Sequence, residues 1–491
     1  MLLVAFAVPA FALAPHDGGA PCATAALREA RLAGAGPAIE PPLRAAGDGL
    51  DTEHFHIEGY DYDATDEELA QVGAIFEAVW VREIDELGYA PPYGTDTGKF
   101  TVYIERLGRG LYGYADVERD GKTPYVSVNS DMSWTGLSTQ AALEVTAAHE
   151  FFHGVQFGYD YWEPTWWMEA SSVWMEEQVY DDIDDYLYYL SDDSWPDYVE
   201  ISMTAENGWH EYGEGIWPMY LSAIHGGEGT IKTLWEAAAT ADAPGVFADH
   251  FGGSEAFEAV LLDFHVRNAL GYAGYEEGAD WWPVYRTDLG SDSTALPVTV
   301  TPDEWRPDYL GVNYFRLPMP ESTPSSVEVA FTGGTTEAGD KVRWMVSVVG
   351  TDGTTWDSAT ELTRDTTTVT LGGFGSKWHE AWVLVGILSE NTGVSHDAYD
   401  SALSYTKEPP EFTFTATLGP PETPEDTGGD TAATDTASDD TAEDTGGRGA
   451  DCCKGDDPSP DPDCGCNGGG EEASLLALFA LAAAARRRLA P

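Results

Sequence analysis

Two histidines and a glutamate, His149, Glu150 and His153, fall within five residues of a stretch whose apolar positions Leu143, Val145, Phe152 and Val155 suit a buried helix. Side chains four apart on a helix rise from one face with Cβ atoms about 5–6 Å apart. Two imidazoles so placed can reach one zinc ion at about 2.0–2.1 Å. Glu150, beside the first histidine, can reach a water held by that ion without ligating it. This is the general-base position of a His-Glu-x-x-His site, and its chemistry is metal-assisted hydrolysis of a peptide bond. Two histidines leave a third protein ligand to be found.

The elements that must hold these residues follow from periodicity. A helix is expected over about residues 138–157 and a second over about 165–180, with further helices over 213–225, 230–240 and 254–270. Upstream, residues 66–88 read as a helix with Asp66 as N-cap, and residues 54–62, 100–104 and 125–128 read as strands. Strands first and helices after give an α+β domain over residues 51–293. From residue 294 to 418 the chain turns rich in Thr and Val, with strands expected near 298–301, 312–316, 326–331, 342–349, 367–371, 381–387 and 412–418. Seven short strands at such intervals suggest a β-sandwich. The strand over Tyr125–Val128 is a candidate to pair with an extended substrate.

The segment Trp166-Trp167-Met168-Glu169-Ala170-Ser171-Ser172 resembles the W-x-x-E-small-small signature of gluzincin metallopeptidases. With His149-Glu150-Phe151-Phe152-His153 it is similar to a family of bacterial surface metalloproteases. The resemblance covers residues 51–293 and implies a zincin-like fold with zinc held by His149, His153 and Glu169. Glu176, two helical turns beyond Glu169, is the rival ligand. A metzincin is excluded, because Gln156 and Tyr159 stand where its glycine and third histidine would be. Tyr212, in Tyr212-Gly213-Glu214-Gly215, resembles the gluzincin tyrosine that stabilises the oxyanion, and His210 is a second candidate donor. The aspartate that thermolysin-like enzymes place four residues after the glutamate ligand is Val173 here, so the group orienting the zinc histidines is unassigned.

His54 and His56 read as structural. The acidic run Asp181, Asp182, Asp184 and Asp185 lacks EF-hand spacing and reads as a solvated turn, with Ca2+ as the lesser alternative. A catalytically idle surface binding or adhesion protein is the alternative to the peptidase; the intact Glu150 favours the enzyme.

The rest of the sequence concerns address rather than chemistry. Acidic residues outnumber basic ones 85 to 24, for a net charge of -61. That field repels nucleic acid and anionic membranes and favours cationic partners or divalent cations, while the protein or peptide substrate follows from the metallopeptidase resemblance. Residues 1–14 read as a signal peptide and 15–50 as a linker or propeptide. Residues 419–450, repeating Asp, Thr and Gly, cannot bury enough apolar surface to order and read as a disordered linker. In residues 451–491 four cysteines precede an apolar run and Arg486-Arg487-Arg488. That order resembles myxobacterial C-terminal sorting domains, which implies transient membrane association and attachment at the cell surface. Cys22 alone lies outside that tail, so no disulfide can staple the fold.

Overall fold

Phe55, Ile57, Phe100, Val102, Val126 and Val128 alternate along three strands, and in the computed structural model all are buried in one apolar cluster. The structure describes residues 21–32, 49–191, 194–290, 296–318, 325–336, 338–388 and 409–421. The expected signal segment 1–14, sorting tail 451–491 and nearly all of the linker 419–450 lie outside them.

The order begins with helix α1 (Thr24–Leu32), strands β1 (Leu50–Asp51) and β2 (Phe55–Tyr60), helix α2 (Asp66–Trp80), and strands β3 (Phe100–Glu105), β4 (Gly113–Val117) and β5 (Pro124–Asn129). These strands form one sheet in the order β1-β2-β3-β5-β4, parallel at its centre and antiparallel at both edges. β5 is therefore an interior strand, hydrogen-bonded by β3 and β4 on its two sides. It has no free backbone edge, so Tyr125–Val128 cannot pair with a substrate. The strand at that edge is β4, whose buried small residues, Gly113 and Ala115, give little strand pattern in the sequence.

Helix α2 is capped one residue earlier than expected. Thr65 is the N-cap, its side chain accepting from the Glu68 amide while Glu68 reaches back to the Thr65 amide, and Asp66 is the first helical residue. After Trp80 the helix widens into a π-helical turn, Val81–Glu86. Residues 15–50 show no durable period, yet Thr24–Leu32 is helical. Arg28 fixes it, donating to the carbonyls of Tyr161 and Glu163 and to Thr165 Oγ1.

Among the described residues seven α-helices follow: α3 (Thr139–Tyr159), α4 (Thr165–Tyr180), α5 (His210–Gly213), α6 (Ile216–Ile224), α7 (Glu228–Ala238), α8 (Gly245–Phe251) and α9 (Ser254–Ala269). Ser138 caps α3 through the Ala141 amide. Both α3 and α4 are buried over most of their length. Successive side chains of α3 serve different neighbours. The ring of Phe151 lies 5.3 Å from Phe55 and 5.1 Å from Phe100. Phe152 meets Tyr89 and Trp235. The remaining face, carrying His149 and His153, turns toward α4.

The strands of the second half are β6 (Thr287–Asp288), β7 (Val298–Val300), β8 (Val312–Arg316), β9 (Ser325–Gly333), β10 (Trp344–Thr351), β11 (Trp356–Thr363), β12 (Thr366–Phe374), β13 (Glu380–Ile387) and β14 (Phe412–Pro421). They make a sheet of order β11-β10-β13-β8-β6 and another of order β12-β9-β14-β7. β11 went unforeseen because its pattern is largely exposed and polar. Alternation along β10 and β13 sorts side chains between two cores. Trp344, Val346, Val348, Val383 and Val385 join the cluster shared with β9, β12 and β14. Met345, Val349, Trp382 and Leu384 join the cluster of the helical half. A strand covered on both faces is apolar at nearly every position, which accounts for the run Ala381-Trp382-Val383-Leu384-Val385. The described chain is thus a mixed α+β structure with three sheets and no barrel.

Candidate metal centre

The turn over residues 160–164 returns the chain from α3 to α4 and brings Glu169 against the two histidines. Glu169 Oε2 lies 3.1 Å from His149 Nε2 and 3.4 Å from His153 Nε2. Ligands on a tetrahedral zinc at about 2.0–2.1 Å stand about 3.3–3.4 Å apart. Both distances from Glu169 to the histidines are close to that spacing. Cys22 Sγ is the fourth member: one ligand atom from each of Cys22, His149, His153 and Glu169 lies within 4.8 Å of all the others. All four residues are buried. His153 Nε2 and Glu169 Oε1 have no hydrogen-bond partner although both are buried. Leaving such atoms unpaired is costly, and a cation between them would satisfy both.

What lies behind the rings fixes which nitrogen faces the centre. His149 Nδ1 is 2.6 Å from Glu176 Oε1. His153 Nδ1 is 2.7 Å from Gln156 Oε1. The Gln156 amide nitrogen donates to the Met168 carbonyl and to Ser171 and Ser172 Oγ, so its oxygen must face His153. Each imidazole thereby has Nδ1 bonded outward and Nε2 turned inward. Glu176 backs His149 rather than joining the ligand set. Together with Gln156 it supplies the orienting groups that Val173 left unassigned. Gln156, three residues after His153, and Glu176, seven after Glu169, stood at readable helical offsets, but nothing in their types distinguished them from solvated polar residues.

The electrostatics follow from burial among opposed charges. Burial resists ionisation of Glu169, but the histidines outweigh it and hold the carboxyl down at about 2. Burial opposes a charge on His149, yet Cys22, Glu169 and Glu176 lift it well above the ordinary histidine value. Glu150 is raised, chiefly by burial and against the pull of His149 and His153. An inward-facing carboxyl of raised pKa takes a proton more readily than a surface one.

Glu150 lies at the edge of the sheet. Its Oε2 accepts from the Cys22 thiol at 3.4 Å and from Thr24 Oγ1 at 3.2 Å. Gly113 on β4 makes room for it, since a Cβ there would stand 3.1 Å from Glu150 Cγ and 2.8 Å from the Ser127 carbonyl. Tyr212 is buried beside the centre, its ring stacked on His149 at 6.2 Å and its hydroxyl donating to the Cys22 carbonyl at 3.4 Å. His210 Nε2 lies 3.0 Å from Glu214 Oε1, close enough for an ion pair but without a hydrogen bond. His54 stacks on Trp80 and pairs with Glu77, and His56 pairs with Asp51, which suits structural roles. Of the acidic run, Asp181 lies with Glu177 and Glu277 in a second group able to hold a cation. Asp185 turns inward instead and is raised to about 7, mainly by burial and then by Glu176.

No curated protein matches the chain. Residues 61–359, from before α2 into β11, match a family of unknown function, DUF6055, and take in His149, Glu150, His153, Glu169, Gln156 and Glu176 while leaving Cys22 outside. That stretch is more than half of the chain, which therefore belongs to the DUF6055 family.

Proposed function

We propose that this chain is a secreted zinc metallopeptidase with a zincin-like catalytic half and a β-sandwich half, held at the cell surface through its C-terminal tail. The observation that carries the reading is the convergence of one Glu169 carboxylate oxygen on His149 Nε2 at 3.1 Å and His153 Nε2 at 3.4 Å, in a buried group of possible ligand atoms. Two imidazoles and one carboxylate suit zinc better than calcium or magnesium, which prefer oxygen alone. Zinc bound there would lower the pKa of a water to about 7 and polarise a peptide carbonyl.

The chain's own groups supply the rest. Glu150 is the general base, taking the proton of the attacking water and delivering it to the leaving amine. Tyr212 already donates to a backbone carbonyl, that of Cys22, and a scissile carbonyl in that place would receive the same hydrogen bond as negative charge develops on it. His210, paired with Glu214, is the weaker candidate for that role. β4, the edge strand of the sheet beside Glu150, is the strand on which an extended peptide would lie once residues 21–24 leave it.

The test uses a chain starting at Gly49, so that Cys22 is absent from the site. Elemental analysis should find zinc, and casein should be cleaved in a chelator-sensitive manner. Glu150→Gln should keep the metal and lose about 10²–10⁴-fold in turnover. Equal cleavage by both proteins, or no zinc in either, would remove the assignment.

A further inference from the structure

Cys22 is the only cysteine among the described residues, and its thiol lies inside the site rather than on the surface. It is carried there by a short stretch laid along the open edge of the sheet. The Tyr112 amide donates to the Pro21 carbonyl at 2.7 Å, and the Ala23 amide to the Gly113 carbonyl at 3.2 Å. Thr24 Oγ1 takes the Ala115 amide at 2.8 Å. Residues 21–24 thus use the backbone groups that a bound peptide would need. The stretch also engages both groups assigned to the chemistry, since Thr24 and Cys22 donate to Glu150 and the Cys22 carbonyl holds Tyr212.

Two further observations show a built arrangement. Arg28, buried at 3 % exposure, fastens α1 by four hydrogen bonds to the α3–α4 turn and the start of α4. His153 Nε2 and Glu169 Oε1 are buried without hydrogen-bond partners in the same group of ligand atoms that includes Cys22 Sγ. With the segment in place, the cavity beside His149 and Glu150 keeps about 20 Å³, room for about one water and no peptide.

We propose that Cys22 is the fourth ligand of the metal and that residues 21–32 are an intramolecular inhibitor held in the substrate groove. This rests on the peptidase reading and adds its regulation. Sulfur completes a donor set of two nitrogens, one oxygen and one sulfur, which zinc accepts in a closed tetrahedral site. On ligation the thiol gives its proton to solvent and Sγ takes the position a water must occupy for hydrolysis. The segment escapes cleavage because its own sulfur excludes the nucleophile. Release is the reverse exchange: water enters, and the departing thiolate is reprotonated. Cutting the chain between Leu32 and Gly49, or capping the thiol, makes the release permanent.

Cobalt(II) loaded into the full chain tests this without relying on activity. A sulfur-to-cobalt charge-transfer band should accompany the visible d–d bands. Cys22→Ser should lose the charge-transfer band alone, and His149→Ala should lose the d–d bands as well. In parallel, a segment closed in nine molecules of ten would hold casein cleavage about tenfold below that of Cys22→Ser. Should Cys22→Ser fail to fold, Arg28→Gln keeps the thiol but unfastens α1, and should weaken the same band. If cobalt binds through His149 with no thiolate band, Cys22 is not a ligand and the inhibitor proposal falls while the peptidase stands. If no cobalt binds in a His149-dependent manner, both fall together.

Discussion

Between the two sheets of the β half, Trp344, Val346, Val348, Val383, Val385 and Phe414 meet one another with apolar neighbours. Between α3 and α4, at similar burial, lie His149, Glu150, His153, Glu169 and Glu176. The first arrangement is what the hydrophobic effect selects, an apolar surface removed from water at about 25 cal/mol per Å². The second works against it, because buried charges lose hydration and recover it only through well-placed partners. A chain that can build the first kind of core has no need of the second for stability. Ionisable groups kept together inside a fold therefore mark a site rather than a scaffold.

Mutation separates the two regimes, and the largest effect is expected in the β half. Phe414, fully buried and 5.1 Å from the ring of Phe315, leaves a cavity when truncated. Phe414→Ala should cost about 3–5 kcal/mol in urea unfolding while zinc content per folded chain stays at the wild-type value. Zinc lost in proportion would mean that the two cores are not separable.

Next in size is an effect of acid at the boundary between the halves. His265, on α9, reaches the Leu310 carbonyl through Nε2 at 3.2 Å, and the Tyr314 hydroxyl donates to the His265 carbonyl. Burial holds this imidazole neutral down to about 3, against the weaker pull of the Leu310 carbonyl. Its folded pKa is below the unfolded value, so between about pH 6.5 and 3 the unfolded chain binds the extra proton. The contribution is present above about 6.5 and is lost as the pH falls, by about 3 kcal/mol at pH 4. Unfolding of wild type and His265→Gln at pH 7 and pH 4 measures it: the wild type should lose more. Parallel losses would show that His265 is not the group being spared.

The same contrast explains how far the sequence could be read. Periodicity located α3, α4, α9 and strands such as β8, β10 and β13, because apolar packing writes itself at intervals of 3.6 and 2. Spacing along one helix likewise exposed His149, Glu150 and His153, and the Trp-rich segment pointed to Glu169. β11 was missed because its residues are largely exposed and polar, and other features because they depend on approaches between distant parts of the chain. β4 carries Gly113 and Ala115 because α3 comes close to it, a fact about tertiary approach. Cys22 meets Glu150 across 128 residues. Glu176 was legible as a rival ligand, but its role depends on which ring nitrogen it faces, which no one-dimensional offset encodes.

Glu176 gives the smallest of these effects and the sharpest test of the contrast. Its carboxylate touches no ligand atom and acts through His149 Nδ1, 2.6 Å away. Burial raises its pKa, and the hydrogen bond and charge of His149 oppose the rise. Glu176→Gln keeps the size and one acceptor but gives up the charge that makes His149 a stronger base. Zinc affinity measured by competition with a chromophoric chelator should fall about 10–100-fold, or about 1.4–2.7 kcal/mol, with little change in urea stability of the metal-free chain. Glu176→Asp should recover part of the affinity, since it restores charge at a longer reach. A group kept only for packing would show the opposite: Glu176→Leu would raise the stability of the metal-free chain and leave zinc affinity where it was. In that case the interior of the helical half would follow the same rule as the β half, and the buried charges between α3 and α4 would need another reason to be there.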